Sequence, residues 1–160
     1  MENETERKFL VSDGSFRQMA TSSDRIVQAY LSDAPEATVR VRLRGDRAFL
    51  TVKGLTEGCT RKEFEYPVPV SDALEMASLV PESCRLAKRR WIVPYKGYIW
   101  EVDEFEGRLA PLIVAEAEMP SEDCHPLLPP FAGREVTGIV GYYNSELIKG
   151  LPEDFLNHDH

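Results

Sequence analysis

Charged side chains recur at every second position in several segments of this chain, with apolar residues between them. The acidic members of the set are Glu4, Glu6, Glu63, Glu65, Glu101, Asp103, Glu116 and Glu118. The basic members are Lys8, Arg40, Arg42, Arg44, Lys53, Arg61, Lys88 and Arg90. Carboxylates bind hard divalent cations, and guanidinium groups clasp phosphate oxygens. Both sets on one surface would suit a phosphate chain that carries Mg²⁺ or Mn²⁺.

The segment Glu4-Thr5-Glu6-Arg7-Lys8 shows the pattern at its densest. Successive side chains of a strand point to opposite faces, so Glu4, Glu6 and Lys8 would share one face. The two carboxylates repel each other unless a positive charge lies between them, and a divalent cation would serve. Taken alone, the segment is more typical of a solvated strand edge. Its recurrence along the chain changes that interpretation.

Alternating residues of this kind need strands to position them. The pattern predicts strands over 4–11, 26–31, 38–44, 48–53, 61–66, 86–93, 98–103 and 112–118. Gly45-Asp46 and Lys96-Gly97 are hairpin-turn signals between neighbouring strands. Short helices are predicted over 16–20, over 72–77 with Ser71 as its N-cap, and over 142–148, while 120–130 reads as a loop or short helix.

The predicted fold is α+β and mainly β, an eight-stranded antiparallel β-barrel. An open sheet with one solvated face would explain the alternation. It would not explain why carboxylate pairs fall on some strands and basic pairs on others. If the sheet closes, the charged face lines a lumen, and the apolar face packs outward against helices. Roughly eight strands is also a number that closes around a small ligand.

Bulk properties limit the partners of the chain. Its 160 residues suit one domain, and 42% hydrophobic with 29% charged residues is typical of a globular, soluble protein. A net charge of −8 argues against a nucleic-acid or anionic-membrane partner. No apolar run predicts a membrane span, and the acidic start does not read as a signal peptide. Three widely spaced cysteines fit free thiols in a reducing cytoplasm.

No glycine-rich phosphate loop occurs in the sequence, so phosphate binding would be the work of side chains. In this, and in the order of its motifs, the chain resembles the CYTH domain, or triphosphate tunnel metalloenzyme, family. The resemblance extends to about Leu147, which implies a domain over 1–150 and a C-terminal tail over 151–160. It rests on the ExExK motif at Glu4-Thr5-Glu6-Arg7-Lys8, Arg40-Val41-Arg42, Leu50-Thr51-Val52-Lys53, Arg61-Lys62-Glu63-Phe64-Glu65, Lys88-Arg89-Arg90, Glu101-Val102-Asp103, Glu116-Ala117-Glu118 and Glu135-Val136-Thr137.

The resemblance implies an eight-stranded tunnel and a role for each motif. Glu4, Glu6, Glu116 and Glu118 would hold the catalytic metal, supported by Asp103 or Glu101. Glu63 and Glu65 would either bind a second metal or orient the arginines. A carboxylate beside the attacking water would take its proton. The phosphates would be gripped by Lys8, Arg40, Arg42, Lys53, Arg61, Lys88 and Arg90.

The predicted reaction is metal-dependent hydrolysis of a small triphosphate or polyphosphate, above all inorganic tripolyphosphate, by a monomer or homodimer. A class IV-type adenylate cyclase is one alternative, although no segment reads as a nucleobase pocket. A noncatalytic polyphosphate-binding module is the other. The chain departs from the family pattern at Gly141, where a basic residue is expected before Tyr142-Tyr143-Asn144. That departure bears on turnover and substrate preference.

Overall fold

The computed structural model describes residues 2–156, and the side chains of residues 5–156. Within this part of the chain, nine strands carry most of the structure. They are β1 (Glu2–Val11), β2 (Ser22–Ser32), β3 (Thr38–Arg44), β4 (Arg47–Lys53), β5 (Thr60–Val68), β6 (Arg85–Tyr95), β7 (Tyr98–Phe105), β8 (Ile113–Glu118) and β9 (Ala132–Glu135). The helices are α1 (Phe16–Met19), α2 (Val70–Ser78), α3 (Asn144–Leu147) and α4 (Glu153–Leu156).

The sheet closes into a barrel. Its strand order is β5-β4-β3-β2-β6-β7-β8-β1, and β1 pairs with β5 as well, so that eight antiparallel strands form a ring. Strand β9 pairs with the far end of β1 and lies outside the ring. The predicted eight-stranded antiparallel barrel is therefore confirmed, with one additional strand.

Turn chemistry fixes the register of the hairpin between β6 and β7. Lys96 and Gly97 both have positive φ, at 50° and 86°. Two consecutive left-handed residues are what a two-residue turn needs to match the twist of its flanking strands. Tyr95 therefore pairs with Tyr98, and Arg90 falls opposite Asp103 further along the hairpin.

The outward face of the barrel is apolar and covered, as predicted. Trp100 and Val102 of β7 are fully buried and pack with Phe9 of β1, Phe16 of α1 and Phe131. The rings of Phe9 and Trp100 meet edge to face, with centroids 5.7 Å apart. On the other side of the barrel, α2 packs Ala73 against small residues of β2, β3 and β4.

The lumen-facing positions change from charged to apolar toward one end of the barrel. Moving toward that end, Lys8 is followed by Leu10, Arg90 and Lys88 by Leu86, Asp103 by Phe105, and Glu116 by Val114. These apolar residues pack with the C-terminal segment in a basal cluster: Leu10, Tyr30, Leu86, Phe105, Leu109, Leu112, Val114, Val136, Tyr142, Leu147, Ile148 and Phe155. The structure thus adds a packed base to the predicted tunnel.

Several local predictions were inexact. Strand β9 was missed because its four residues include a glycine and show no alternation. Helix α2 begins at Val70 after Pro69, and Ser71 does not cap it, because the fixed φ of −59° at Pro69 starts the first turn one residue earlier. The terminal helix predicted over 142–148 is a 3₁₀ turn, Val140–Tyr142, followed by the four residues of α3.

Residues 120–130 contain no helix or strand, which agrees with a loop. At the C-terminal end, Phe155 of α4 joins the basal cluster, whereas residues 157–160 lie outside the described part of the chain. No helix within residues 2–156 is long and apolar enough to cross a membrane. Cys59, Cys84 and Cys124 are all free, partly buried thiols.

Candidate functional site

The barrel encloses a cavity of about 530 Å³ above the basal cluster. Both signs of charge line it, and twelve of the predicted site residues contribute. They are Glu6, Lys8, Arg40, Arg42, Lys53, Arg61, Glu63, Glu65, Arg90, Glu101, Glu116 and Glu118. The prediction that the charged strand faces point inward is therefore confirmed. Burial deepens along the lumen, from exposed Glu65 and Glu118 to buried Arg40 and Arg90.

Three predicted site residues are not among those that line the cavity. Lys88 and Asp103 share the lumen face but lie deeper than the lining residues, where both are buried and their Nζ and Oδ2 atoms are 2.6 Å apart. They were placed with the lining residues because strand alternation fixes the face but not the depth. The side chain of Glu4 lies outside the described residues, although its backbone pairs with Arg61 across the seam between β1 and β5.

Arg90 is the centre of a buried charge network. Its Nε and Nη2 donate to the two oxygens of Asp103, at 2.8 and 2.9 Å. Its Nη1 donates to Glu101 at 3.1 Å, and Nη2 lies 3.5 Å from Glu116. Burial disfavours the charge, but these carboxylates outweigh it and hold the pKa of Arg90 well above its ordinary value. The guanidinium of Arg90 was predicted to bind phosphate, but in the structure its donors bind carboxylates.

The acidic side of the cavity lies on β1, β7 and β8. Glu6 is directly opposite Glu118, and Glu101 is directly opposite Glu116. Lys8 also faces Glu116, with its Nζ 3.6 Å from Oε2. Like charges opposite each other on adjacent strands repel, and a bound cation reduces that repulsion. Arg90 already does so in part for Glu101 and Glu116.

These carboxylates fit a divalent cation by their chemistry. Glu6, Glu101, Glu116 and Glu118 offer oxygen ligands, which Mg²⁺, Mn²⁺ and Ca²⁺ prefer to nitrogen or sulfur. Among the described side chains, no group of three acidic, histidine or cysteine residues already converges at metal-binding distances.

The basic side of the cavity centres on β3. Arg42 donates from Nε to Gln28 at 3.1 Å and is buried. Burial, and then the neighbouring charges of Arg40 and Arg90, lower the pKa of Arg42 to about 9. The Nε of Arg40 is buried and has no hydrogen-bond partner among the described side chains. Two crowded guanidinium groups with unused donors make this wall a site for an anion.

Nearer the mouth, Arg61 belongs to the seam between β5 and β1. Its Nε donates to the carbonyl of Gly54 at 3.2 Å, and its guanidinium lies over the ring of Tyr143 at 5.5 Å. Glu65 accepts a hydrogen bond from Thr51 at 3.1 Å, and Glu63 pairs in register with Lys53. The mouth therefore alternates basic and acidic groups on adjacent strands.

Sequence reasoning missed several lining residues: Tyr30, Thr38, Thr51, Phe64, Tyr66, Tyr143, Asn144 and Ser145. Thr51 shares the face of Lys53, and that spacing could have indicated it. Tyr143, Asn144 and Ser145 arrive from the C-terminal segment, where no strand alternation exists to signal them.

Gly141 does not face the cavity. A Cβ placed on it would meet Pro152, at 3.5 and 3.6 Å from its Cβ and Cγ. The basic side chain expected there by resemblance would start toward the 150–152 segment and away from the lumen. The absence of that side chain leaves the observed cavity wall intact.

Comparison with known proteins agrees with this geometry. A family model described as the CYTH domain matches residues 2–149. The inorganic triphosphatase of Acetivibrio thermocellus is 38% identical over 155 residues, covering 97% of this chain and 99% of that protein. The inorganic triphosphatase of Nitrosomonas europaea is 34% identical over 154 residues, covering 93% and 99%.

One solved structure is similar to this chain in both fold and sequence. The crystal structure of the inorganic triphosphatase NE1496 superposes with a TM-score of 0.65 at 32% identity, covering 93% of this chain and 99% of that one. A family match over nearly the whole sequence, with relatives above 30% identity at full length, establishes the relationship. This chain belongs to the CYTH domain family.

Proposed function

We propose that this protein is a divalent-metal-dependent triphosphatase whose preferred substrate is inorganic tripolyphosphate. The observation that carries the proposal is the two-sided cavity, in which buried guanidinium groups face a strip of carboxylates. A metal-bearing phosphate chain needs both surfaces at once, because its oxygens are anionic and its metals need oxygen ligands. The triphosphatase names of the full-length relatives support the same substrate class.

Arg40 and Arg42 hold the phosphate chain from the basic wall. Gln28 orients the guanidinium of Arg42, and both arginine side chains are preorganised because they are already buried. Lys53 and Arg61 add positive charge near the mouth, and Lys8 adds it beside Glu116. Positioning and charge stabilisation account for most of the catalysis of phosphoryl transfer, so these groups orient the chain for in-line attack.

Glu6, Glu116 and Glu118 are the residues of this chain that would hold the catalytic metal, together with Glu4 by resemblance. Mg²⁺ or Mn²⁺ bound there would supply a lowered pKa for a bound water and a counter-charge for the phosphate oxygens. A carboxylate of the strip that the metal does not occupy would accept the proton of the attacking water.

The buried network has a supporting role in this proposal. Both oxygens of Asp103 are taken up by Arg90 and Lys88, so we assign Asp103 to orienting these cations and not to metal binding. Glu65 is bonded to Thr51, and it and Glu63 lie among the basic residues of the mouth. They orient the neighbouring cations in this assignment, and a second metal there is the alternative.

One observation favours a nucleoside triphosphate as a second candidate substrate. Tyr143 lines the cavity, and the guanidinium of Arg61 lies over its ring at 5.5 Å. An aromatic ring at that place could stack on a base, as the cyclase alternative requires. Bare tripolyphosphate makes the better use of the lumen, because a nucleoside would displace part of the chain from the basic wall.

Phosphate release from tripolyphosphate and from ATP, at equal concentration with Mg²⁺ and with Mn²⁺, tests the proposal. Cyclic AMP is assayed in the same samples. We expect faster release from tripolyphosphate and no cyclic AMP. Cyclic AMP as the main product would establish the cyclase instead. Tight binding of tripolyphosphate without turnover of any triphosphate would establish the noncatalytic binding module.

We place the protein in the cytoplasm as a monomer or homodimer. The free thiols of Cys59, Cys84 and Cys124 support a reducing compartment. Sedimentation at micromolar concentration distinguishes the two oligomeric states.

A further inference from the structure

The C-terminal segment supplies hydrogen-bond acceptors to two buried lysines of the barrel. The backbone carbonyl of Tyr142 accepts from Lys8 Nζ at 3.4 Å. The side-chain oxygen of Asn144 accepts from Lys88 Nζ at 3.1 Å. Both lysines sit at the level where the lumen passes from charged to apolar, and neither acceptor belongs to a barrel strand.

The segment that carries these acceptors is held by the carboxylate of Asp154 in α4. The Tyr142 hydroxyl donates to Asp154 Oδ2 at 3.0 Å, and Arg134 Nη1 donates to the same oxygen at 2.7 Å. Burial alone would raise the pKa of Asp154, but the hydrogen bonds from Arg134 and Tyr142 outweigh it and lower the pKa. The group is therefore a carboxylate at neutral pH, and next to it Phe155 anchors α4 in the basal cluster.

Asp154 is also connected to Lys8 through the backbone of β9 and β1. Arg134 lies on β9, which pairs with β1, and β1 carries Lys8. The backbone of Lys8 is also bonded to the segment that follows β9, since its N–H donates to Thr137 Oγ1 at 2.9 Å and its carbonyl accepts from Val136 at 2.8 Å. Asp154 thus contacts both β9, through Arg134, and the C-terminal segment, through Tyr142, and it does not line the cavity.

We propose that Asp154 is a positioning residue for the reaction, acting through Tyr142 and the α3 turn on the ammonium groups of Lys8 and Lys88. This inference rests on the proposed triphosphatase function. A lysine carries a flexible four-carbon stem, so its charge is aimed only if acceptors hold it. Releasing the 140–156 segment leaves the basic wall of Arg40 and Arg42 intact but removes one acceptor from each lysine. Each ammonium group then shifts toward its carboxylate, Lys88 toward Asp103 and Lys8 toward Glu116, and the charge at the base of the cavity moves with it.

The test compares four variants. Asp154→Ala removes the acceptor, and Tyr142→Phe removes the hydroxyl while keeping the ring in the basal cluster. Asp154→Asn keeps an acceptor for the hydroxyl and removes the charge from the exposed ion pair with Arg134, a kind of pair that is worth little. Lys149→Ala is the matched control, because Lys149 lies in the same segment, is exposed, and pairs only with Glu146 and Asp33 in the structure.

We expect kcat for tripolyphosphate to fall about 10-fold to 100-fold in Asp154→Ala and in Tyr142→Phe, as misplacement of catalytic groups does. KM should change less than about threefold, because the phosphate-binding wall is untouched. Asp154→Asn should recover most of the loss, and Lys149→Ala should match the wild type. The double variant Asp154→Ala/Tyr142→Phe should be no slower than Asp154→Ala, since both changes break one contact.

A readout independent of turnover separates this inference from the proposed function. Acetic anhydride labelling followed by mass spectrometry reports the reactivity of Lys88, which is buried in the wild type, against that of exposed Lys149. We expect labelling of Lys88 to rise in Asp154→Ala and not in Asp154→Asn. If wild-type protein turns over no triphosphate, the proposed function fails, while labelling of Lys88 still tests the positioning role of Asp154. Unchanged kcat and unchanged Lys88 labelling in Asp154→Ala would overturn that role; so would a loss that Asp154→Asn fails to recover.

Discussion

Asp103 accepts two hydrogen bonds from the guanidinium of Arg90, at 2.8 and 2.9 Å, in a bidentate pair with both side chains 5% exposed. The pair joins β6 to β7 across directly opposed positions. Burial would raise the pKa of Asp103, but Arg90 and then Lys88 outweigh it, and the pKa lies far below the ordinary value. The carboxylate therefore stays charged wherever the protein is folded, and the cavity wall depends on it.

Asp103→Asn should destabilise the protein by about 3–5 kcal/mol, because it leaves Arg90 and Lys88 buried with too little negative charge. Urea unfolding at pH 7 measures this change in the free energy of unfolding. Glu106→Gln is the control, since Glu106 pairs with Arg25 at the surface, and we expect a change of at most about 0.5 kcal/mol there. A loss below about 1 kcal/mol for Asp103→Asn would contradict the assignment.

The carboxylate of Asp103 should also make the free energy of unfolding depend on pH in the acid range. A folded-state pKa below the unfolded value stabilises the protein above the unfolded pKa of about 3.9, and that contribution disappears as the pH falls further. The gap in unfolding free energy between wild type and Asp103→Asn should thus be full near pH 7 and narrow below about pH 4. Unfolding curves between pH 3 and pH 7 measure it, and a gap that widens toward acid would have the wrong sign.

Glu6→Gln should abolish metal-dependent phosphate release while the fold persists. Glu6 faces Glu118 directly across two strands, so removing one charge relieves repulsion in the metal-free protein. The free energy of unfolding without metal should stay constant or rise. Phosphate release across an Mg²⁺ titration and urea unfolding in chelator measure the two effects. Wild-type activity of the variant at limiting Mg²⁺ would remove Glu6 from the metal ligands, and the same test applies to Glu4→Gln.

Arg40→Ala should weaken binding of tripolyphosphate without the stability loss expected for Asp103→Asn. Within residues 5–156, the Nε of Arg40 is buried with no hydrogen-bond partner, so this guanidinium has a donor to offer an anion. A lost charge-assisted hydrogen bond costs about 1.5–3 kcal/mol, or about a 10-fold to 150-fold rise in Kd. Calorimetric titration with tripolyphosphate in chelator measures it. Arg47→Ala, on the same hairpin but exposed and away from the cavity lining, should bind as the wild type does.

The barrel and the inward charge were predictable because period-2 alternation determines which face a residue occupies. Arg40 and Arg42, or Glu116 and Glu118, needed nothing more than that rule. Depth was not predictable: Lys88 and Arg90 share a face, yet only Arg90 lines the cavity, since depth depends on strand stagger and on what fills the base. The C-terminal contributions of Asn144 and Asp154 come from a long-range return of the chain, which local spacing cannot encode.

Gly141→Ala tests whether this departure from the family pattern matters to the site. The added Cβ would meet Pro152 at 3.5 and 3.6 Å, which is ordinary van der Waals contact, and Gly141 does not have the positive φ that would strain an alanine. The substitution restricts the unfolded chain, so we expect a gain of about 0.4–1 kcal/mol in the free energy of unfolding. Because position 141 faces Pro152, kcat and KM for tripolyphosphate should stay at wild-type values.

Gly138→Ala is the matched contrast, since Gly138 has a φ of +75° and an alanine there is strained, so that variant should lose stability. Gly141→Arg extends the test: if the missing basic residue limited turnover, this variant would raise kcat, whereas the direction of the Cβ predicts no gain. Thermal unfolding and phosphate release on the three variants decide between a silent position and a lost catalytic one.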